Sequence, residues 1–137
     1  MPTLTIMIVD EHWANIPVYK RLVSEFPKSH VICFPDVNGA YHECALHAPD
    51  ILVIDDEVPN IDPIAFARDL RKLAGVHEPL IVLIGSREGP LAENSRCGGI
   101  DVFLPKPVDT KFFMAMLYQA VKLRAARIDL IATRALA

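Results

Sequence analysis

The hydrophobic residues of this chain form short continuous runs rather than strictly alternating ones. Five runs, most of them rich in Val, Ile and Leu, occur at residues 4–9, 31–34, 51–54, 80–84 and 102–104. Runs of this length are typical of strands that are covered on both faces, as the strands of a parallel sheet are. Because periodicity alone does not separate such a strand from a short buried helix, the segments between the runs decide the assignment.

The segments between these runs have helical patterning. Residues 13–26 place Val18, Leu22 and Phe26 four positions apart, which brings them to one face of a helix. Helices are also predicted for residues 38–47, 62–74, 88–97 and 109–137, the third of these being the most polar. Strands that alternate with helices predict an α/β fold with a parallel sheet and right-handed crossovers. No repeat or linker interrupts the alternation, so we expect one domain.

The composition is that of an ordinary globular domain. The chain has 137 residues, of which 52% are hydrophobic, and its formal net charge is −3. This balance leaves no basic surplus for nucleic acid or for an anionic membrane surface. The amino terminus lacks the basic region of an export signal, and no run approaches the roughly 20 apolar residues of a membrane span, which predicts a cytoplasmic protein. The cysteines have no metal-ligand spacing and are expected to be reduced core thiols: Cys33, Cys44 and Cys97.

Polar residues follow four of the five predicted strands. They are Asp10 and Glu11 after the first, Asp55, Asp56 and Glu57 after the third, Gly85 and Ser86 after the fourth, and Lys106 after the fifth. Strand ends are often exposed and therefore charged, so each residue alone carries little information. The carboxyl ends of parallel strands meet at one edge of the sheet, however, and functional sites lie there. Acidic groups after two strands and a lysine after another therefore predict a site at this edge.

Such a cluster of carboxylates needs cations. Two carboxylates about 4 Å apart repel each other by about 4 kcal/mol at an effective dielectric constant near 20, and the pKa of one rises unless positive charge is close. Lys106 supplies one positive charge. Mg²⁺ suits the remaining excess, because it binds through one or two carboxylates and keeps positions for phosphate oxygens. The predicted chemistry is phosphoryl transfer to an aspartate nucleophile, since the sequence has neither a glycine-rich nucleotide-binding loop nor a GxSxG motif.

Over roughly residues 4–123 the sequence resembles the receiver domain of two-component response regulators. IMIVDEH resembles the first strand and acid pair of that family, NGAYHECALHAPDILVIDDEVPNID resembles its stretch from the second helix through the phosphorylated strand, and GGIDVFLPKP resembles its fifth strand. The three motifs occur in the family's order and at its spacing. The resemblance implies a flavodoxin-like, doubly wound sheet of five parallel strands in the order 2-1-3-4-5, with five helices, and signalling through an aspartyl phosphate.

The resemblance also assigns roles to the residues at the edge of the sheet. In the family a proline stands four residues after the phosphoacceptor, and Pro59 stands four after Asp55, so Asp55 is the expected acceptor and Asp56 is expected to point elsewhere. Lys106 is expected to pair with the phosphoryl oxygens. The ligands expected for Mg²⁺ are the carboxylates of Asp10, Glu11 and Asp55 and the backbone carbonyl of Glu57.

One position departs from the family pattern. Family members carry Ser or Thr at the end of the fourth strand, and its hydroxyl bonds the phosphoryl group and is coupled to rotation of an aromatic residue on the fifth strand, here Phe103. In this sequence the switch position is Ile84, which has no hydroxyl. Gly85 keeps the next position small enough for the phosphoryl group to enter, and Ser86 supplies a hydroxyl only if the strand end is irregular.

Two functions follow as expectations. In the first, a sensor histidine kinase or a phosphotransfer protein donates a phosphoryl group to Asp55, and the receiver then acts on an output domain or a downstream protein. The only activities expected of it are self-phosphorylation and autodephosphorylation, and neither nucleic acid nor a membrane is a direct partner. In the second, which Ile84 motivates, the chain is a pseudo-receiver that binds proteins regardless of phosphate. A flavodoxin-like electron carrier is a third option, and the acidic turn after the first strand opposes it because that turn repels a flavin phosphate.

The last predicted helix is longer than one edge of the sheet requires. We therefore expect a receiver domain over residues 1–123 and an extension of the last helix over residues 124–137. Apolar residues of this helix follow a heptad-like spacing that Arg124 interrupts. Either the helix faces the core and frays at its polar end, or it is a stalk that forms a homodimer or leads to an output domain.

Overall fold

Strands and helices alternate along the described part of the chain. The computed structural model describes residues 4–10, 17, 20–21, 24, 29–57, 62–74, 79–86, 100–106 and 109–136. The strands are β1 (Leu4–Val9), β2 (Ser29–Phe34), β3 (Ile51–Asp55), β4 (Leu80–Gly85) and β5 (Val102–Pro105). The helices within these residues are α1 (Val37–Leu46), α2 (Pro63–Ala74) and α3 (Thr110–Leu136). The five predicted strands are therefore confirmed, whereas the helices predicted for residues 13–26 and 88–97 lie mostly or wholly outside the described residues.

The five strands pair in parallel in a single sheet with the order β2-β1-β3-β4-β5. This is the order of the flavodoxin-like, doubly wound fold that the sequence predicted. The register pairs Asp55 with Ile84 and Gly85 with Pro105. The carboxyl ends of β3, β4 and β5 are thus aligned, and the residues that follow them meet at one edge of the sheet.

Each face of the sheet packs against helices. Successive side chains of a strand point to opposite faces, so each strand contributes to two apolar clusters. One cluster joins the sheet to α3 and includes Ile8, Val53, Val82, Phe113 and Leu117. The other joins the opposite face to α1 and α2 and includes Val9, Leu52, Ala40, Phe66 and Leu70. Burial on both faces is the physical reason that the strands appear in the sequence as unbroken apolar runs.

At the amino edge of the sheet, two aspartates anchor helices from opposite faces. Asp50 accepts a hydrogen bond from the Thr5 N–H at 2.8 Å, and its other carboxylate oxygen lies 3.4 Å from Nε of Arg124 in α3. Asp101 accepts a hydrogen bond of 2.7 Å from the guanidinium of Arg71 in α2. Arg124 is only 3% exposed. The charged residue that interrupts the apolar pattern of the last helix is therefore buried as one half of an ion pair.

The last helix begins where the sequence predicted. Asp109 is its N-cap, with Oδ1 accepting a hydrogen bond of 2.9 Å from the Phe112 N–H. The helix then runs for 27 residues to Leu136 without a break, a length of about 40 Å at 1.5 Å per residue. That is about two to three times the length of the strands beneath it. Within the described residues, no helix combines the length and apolar character that crossing a membrane requires.

Candidate functional site

The polar residues that follow β1, β3, β4 and β5 meet at the carboxyl edge of the sheet. Asp10 directly follows β1, and its N–H donates to the carbonyl of Phe34 in the neighbouring strand at 3.0 Å. Asp55 is the last residue of β3. Lys106 follows β5, and its N–H donates to the carbonyl of Gly85 at 2.9 Å. These backbone hydrogen bonds keep the ends of neighbouring strands aligned, so the side chains that follow the strands lie in one site.

The ammonium group of Lys106 lies among three consecutive carboxylates. Its Nζ is 3.0 Å from Oδ1 of Asp55, 2.8 Å from Oδ1 of Asp56 and 3.7 Å from Oε2 of Glu57. Burial alone would lower the pKa of Lys106, but the hydrogen bonds to Asp56 and Asp55 outweigh it and raise that pKa above its ordinary value. The lysine therefore stays protonated, and it is the positive charge that makes this crowding of acids tolerable.

Asp55 is the most buried carboxylate of the three, with 2% of its surface exposed. Its Oδ1 accepts a hydrogen bond of 2.8 Å from the Glu57 N–H in addition to the one from Lys106. Its Oδ2 is buried and has no hydrogen-bond partner among the described residues. Burial raises the pKa of Asp55, and the nearby charge of Asp10 adds to the rise, while the Glu57 N–H and Lys106 act in the opposite direction. The net effect is a carboxylate whose charge is costly to hold in this site.

The donor set of this site fits a hard divalent cation. Asp10 is 1% exposed, and together with the free Oδ2 of Asp55 it offers buried carboxylate oxygen, the donor type that Mg²⁺ prefers. The described residues contain no group of three or more His, Cys, Asp or Glu side chains arranged to hold a metal. Glu11, the remaining carboxylate that the sequence predicted as a ligand, lies outside the described residues. An ion bound here would satisfy Oδ2 of Asp55, the buried carboxylate oxygen that the described residues leave unbonded.

Asp56 does not point away from the site, and the sequence-based expectation on this residue is wrong. Its Oδ1 contacts Lys106 at 2.8 Å, and its Oδ2 accepts a hydrogen bond of 3.0 Å from the N–H of Ser86. These contacts lower the pKa of Asp56, although burial acts to raise it. A side chain one residue further along a strand would point to the opposite face, but β3 ends at Asp55 and Asp56 already lies in a turn. Alternation does not apply beyond the end of the strand.

The two predicted switch residues lie on opposite faces of the sheet. Ile84 is buried in the cluster that packs against α3, and it cannot supply the hydroxyl that the family uses. Phe103 is partly buried against the other cluster, beside α1 and α2. Gly85 is buried. The predicted route for a phosphoryl group requires a small residue at this position, and glycine has no side chain. Ser86 is exposed, and the contact that it provides to the site is its backbone N–H.

Comparisons with known proteins agree with this architecture. The family model described as the response regulator receiver domain matches residues 6–118. The chain is 27% identical over 123 residues to the cyclic di-GMP phosphodiesterase response regulator RpfG of Xanthomonas campestris pv. campestris, an alignment that covers 88% of this chain and 32% of RpfG. The chain thus spans about a third of the length of that relative.

Two solved structures share the fold. The signal receiver domain of an HD domain-containing protein from Pseudomonas fluorescens Pf-5 superimposes with a TM-score of 0.82 over 94% of both chains, at 18% identity. The chemotaxis response regulator CheY4 of Vibrio cholerae gives a TM-score of 0.76 over 86% of this chain and 98% of that one, at 14% identity.

Proposed function

The chain belongs to the response regulator receiver domain family, and on that premise we propose that it accepts a phosphoryl group on Asp55 in a Mg²⁺-dependent reaction that switches its contacts with other proteins. The observation that carries the proposal is the contact of 3.0 Å between Oδ1 of Asp55 and Nζ of Lys106 at the carboxyl edge of the sheet. It joins a buried carboxylate to a positive charge, which is the arrangement that a phosphoryl acceptor needs.

Asp55 is the nucleophile in this reaction. One oxygen of its carboxylate attacks the phosphorus of the donor and forms a new O–P bond. The P–N bond of a phosphohistidine, or the P–O bond of a small phosphodonor, breaks at the same time, and its electron pair stays with the leaving nitrogen or oxygen. Hydrolysis reverses the modification: water attacks the phosphorus, inorganic phosphate leaves, and the carboxylate of Asp55 is restored.

The residues around Asp55 orient it and balance its charge. The Glu57 N–H fixes the carboxylate through a hydrogen bond of 2.8 Å to Oδ1, and Lys106 offsets negative charge that develops on the transferred oxygens. Asp10 and Asp55 would hold Mg²⁺, with Glu11 and the backbone carbonyl of Glu57 completing the expected set. When bound, the ion supplies further positive charge against the phosphoryl and carboxylate oxygens.

The proposed donor is a sensor histidine kinase or a phosphotransfer protein, and the proposed recipient of the signal is an output domain or a downstream protein in the cytoplasm. The relative RpfG carries its similar region within a chain about three times as long. The uninterrupted course of α3 to Leu136 is consistent with residues 124–137 acting as a stalk that leads to such a domain or pairs with a second copy. A receiver by itself has no effector, so one of these partners has to convey the signal.

Incubation with acetyl phosphate and Mg²⁺, followed by intact-mass measurement, tests the proposal. We expect one phosphoryl adduct on the wild-type protein and none on the Asp55→Asn variant, which keeps the shape of the side chain. Omission of Mg²⁺ should reduce the yield. A wild-type protein that forms no adduct, or an adduct that persists undiminished in Asp55→Asn, would contradict the proposal.

A second candidate function is favoured by Ile84. This residue occupies the position where the family carries a switch hydroxyl, and its apolar side chain is buried in the cluster that packs against α3. In this alternative the chain is a pseudo-receiver whose surface binds partners whether or not phosphate is present. Solution NMR with and without beryllofluoride, a mimic of the phosphoryl group, separates the two functions. Shifts that reach Phe103 and α3 support the switching receiver, whereas changes confined to the carboxyl edge support the pseudo-receiver.

A further inference from the structure

Asp56 is held at both of its carboxylate oxygens. Oδ1 contacts the ammonium of Lys106 at 2.8 Å, and Oδ2 accepts the N–H of Ser86 at 3.0 Å. The Asp56 N–H also donates to the carbonyl of Ile84 at 2.8 Å. A single residue in the turn after β3 is thereby tied to the end of β4 and to the lysine after β5.

Lys106 consequently divides its charge between two aspartates. Its contact with Asp56 is the shorter of the two, and Asp56 has the second anchor at Ser86 that keeps it in position. The lysine side chain is 29% exposed, and its ammonium group is within hydrogen-bonding distance of both aspartates. An ammonium group has three N–H donors, and a phosphoryl group on Asp55 would bring three further acceptor oxygens within its reach.

We propose that Asp56 is a positioning residue that competes with the phosphoryl group for Lys106. In the unmodified protein Asp56 holds part of the lysine's charge, and phosphorylation of Asp55 draws the lysine away because a phosphoryl group carries up to two negative charges against one on Asp56. The inference rests on the proposed phosphorylation of Asp55. It adds that Asp56 slows acceptance of the phosphoryl group.

Movement of Lys106 to the phosphoryl group also changes the electrostatic environment of the hydrogen bond between Asp56 and Ser86. Once Lys106 pairs with the phosphoryl group, the Ser86 N–H still donates to the carboxylate of Asp56 and faces a charge that the lysine no longer offsets. Phosphorylation is therefore felt at the first residue after β4, although Ile84 has no hydroxyl to transmit it. The absence of a side chain at Gly85 permits this connection, because a Cβ there would stand 3.1 Å from Oδ2 of Asp56.

The test compares Asp56→Asn with a matched variant, Glu57→Gln. Both remove one negative charge near Lys106 and keep the shape of the side chain, but the Glu57 carboxylate is 3.7 Å from Nζ and 59% exposed. Adduct formation from acetyl phosphate with Mg²⁺ is timed by intact mass for both variants and the wild-type protein, and far-UV circular dichroism checks that each is folded. We expect Asp56→Asn to accelerate the reaction by about threefold or more, because Lys106 then no longer divides its charge with Asp56. One unit charge acting on the incoming group at about 6 Å in water changes a rate by about that factor. Glu57→Gln should change the rate less.

A spectroscopic measurement separates positioning from a purely structural effect. We expect beryllofluoride to shift the amide resonance of Ser86 in the wild-type protein and to shift it much less in Asp56→Asn. Equal rates for Asp56→Asn and wild type, a slower variant, or an equal Ser86 response in both proteins would overturn the inference and leave the proposed function standing. No adduct on any of the three proteins would instead refute the proposed function, and the inference with it.

Discussion

Replacement of Asp55 by Asn should stabilise the metal-free protein even though it removes the proposed phosphoacceptor. The pKa of Asp55 is raised in the folded state by burial and by Asp10. A group whose pKa is higher in the folded than in the unfolded state contributes stability that is present at low pH and is lost as the pH rises through the folded value. At neutral pH the ionised carboxylate therefore costs stability, and neutral Asn removes that cost.

The expected gain follows from the hydrogen bonds of this carboxylate. An unsatisfied oxygen on a buried charged group, here Oδ2, costs about 3 kcal/mol, the upper part of the range for buried unsatisfied groups. The uncharged NH₂ group that Asn places there costs less, about 1 kcal/mol, so the substitution removes about 2 kcal/mol of this cost. Against this, Asn keeps the bonds from Lys106 and the Glu57 N–H at Oδ1 but loses their charge assistance, which is worth about 1 kcal/mol for the lysine bond. The difference predicts that Asp55→Asn raises the free energy of unfolding by about 1 kcal/mol.

Mg²⁺ should offset this difference in unfolding free energy between the variant and the wild-type protein. At about ten times its dissociation constant, an ion that binds only the folded state adds about 1.4 kcal/mol. The wild-type protein should receive this increment, and Asp55→Asn should receive little of it because it lacks the carboxylate charge.

Urea unfolding followed by far-UV circular dichroism, with MgCl₂ against NaCl at equal ionic strength, measures both effects. Asp69→Asn is the control, since it removes an exposed carboxylate on α2 and should respond to Mg²⁺ as the wild-type protein does. A lower stability of Asp55→Asn than of the wild-type protein without Mg²⁺, or equal stabilisation of both proteins by Mg²⁺, would contradict this prediction.

Three further predictions concern the anchors of the fold and of the site. Arg124→Met should lower the free energy of unfolding by about 2–4 kcal/mol, because it leaves the carboxylate of Asp50 without its buried partner. The control, Lys111→Met at an exposed position of α3, should change that free energy by less than about 0.5 kcal/mol. Urea unfolding measures both variants. Gly85→Ala should displace the Asp56 carboxylate, whose Oδ2 would lie 3.1 Å from the new Cβ, and an unmoved Asp56 in a crystal structure of the variant would contradict this. Because the pKa of Asp56 is lowered, its contribution to stability is present above about pH 4 and is lost as the pH falls. Asp56→Asn should therefore flatten the acid limb of a plot of unfolding free energy against pH. An unchanged acid limb would contradict the stabilising role of the Asp56 carboxylate.

The sheet and part of the site were predictable because they depend on strong, local signals. Burial on both faces forces the strands to be continuous apolar runs, and these runs located all five strands. Parallel strands end at a common edge, which is why Asp55 and Lys106, 51 positions apart in the chain, were predicted to meet and do so at 3.0 Å. The cap at Asp109 was predictable for the same kind of reason, since an aspartate before a helical pattern has a defined partner in the first turn.

Asp56 and Arg124 show where the sequence stops being informative. The direction of the Asp56 side chain depends on the turn that begins after Asp55, and the periodicity of a strand gives no information on a turn. Arg124 looks like a break in an apolar pattern until Asp50, 74 positions earlier in the chain, is seen beside it. Asp50 stands immediately before the third apolar run, and it was the signal in the sequence for an acidic partner. The folded structure is needed to show that the arginine of α3 reaches it.

The identity of the modified residue decides the proposed function, because Asp55 and Asp56 both contact Lys106. Reduction of the acetyl phosphate-treated protein with borohydride, followed by digestion and peptide fragmentation, converts the phosphorylated aspartate to homoserine and so identifies it. Phosphorylation of Asp55 alone predicts homoserine at position 55 and none at position 56. Homoserine at position 56, or at both positions in comparable amounts, would contradict it.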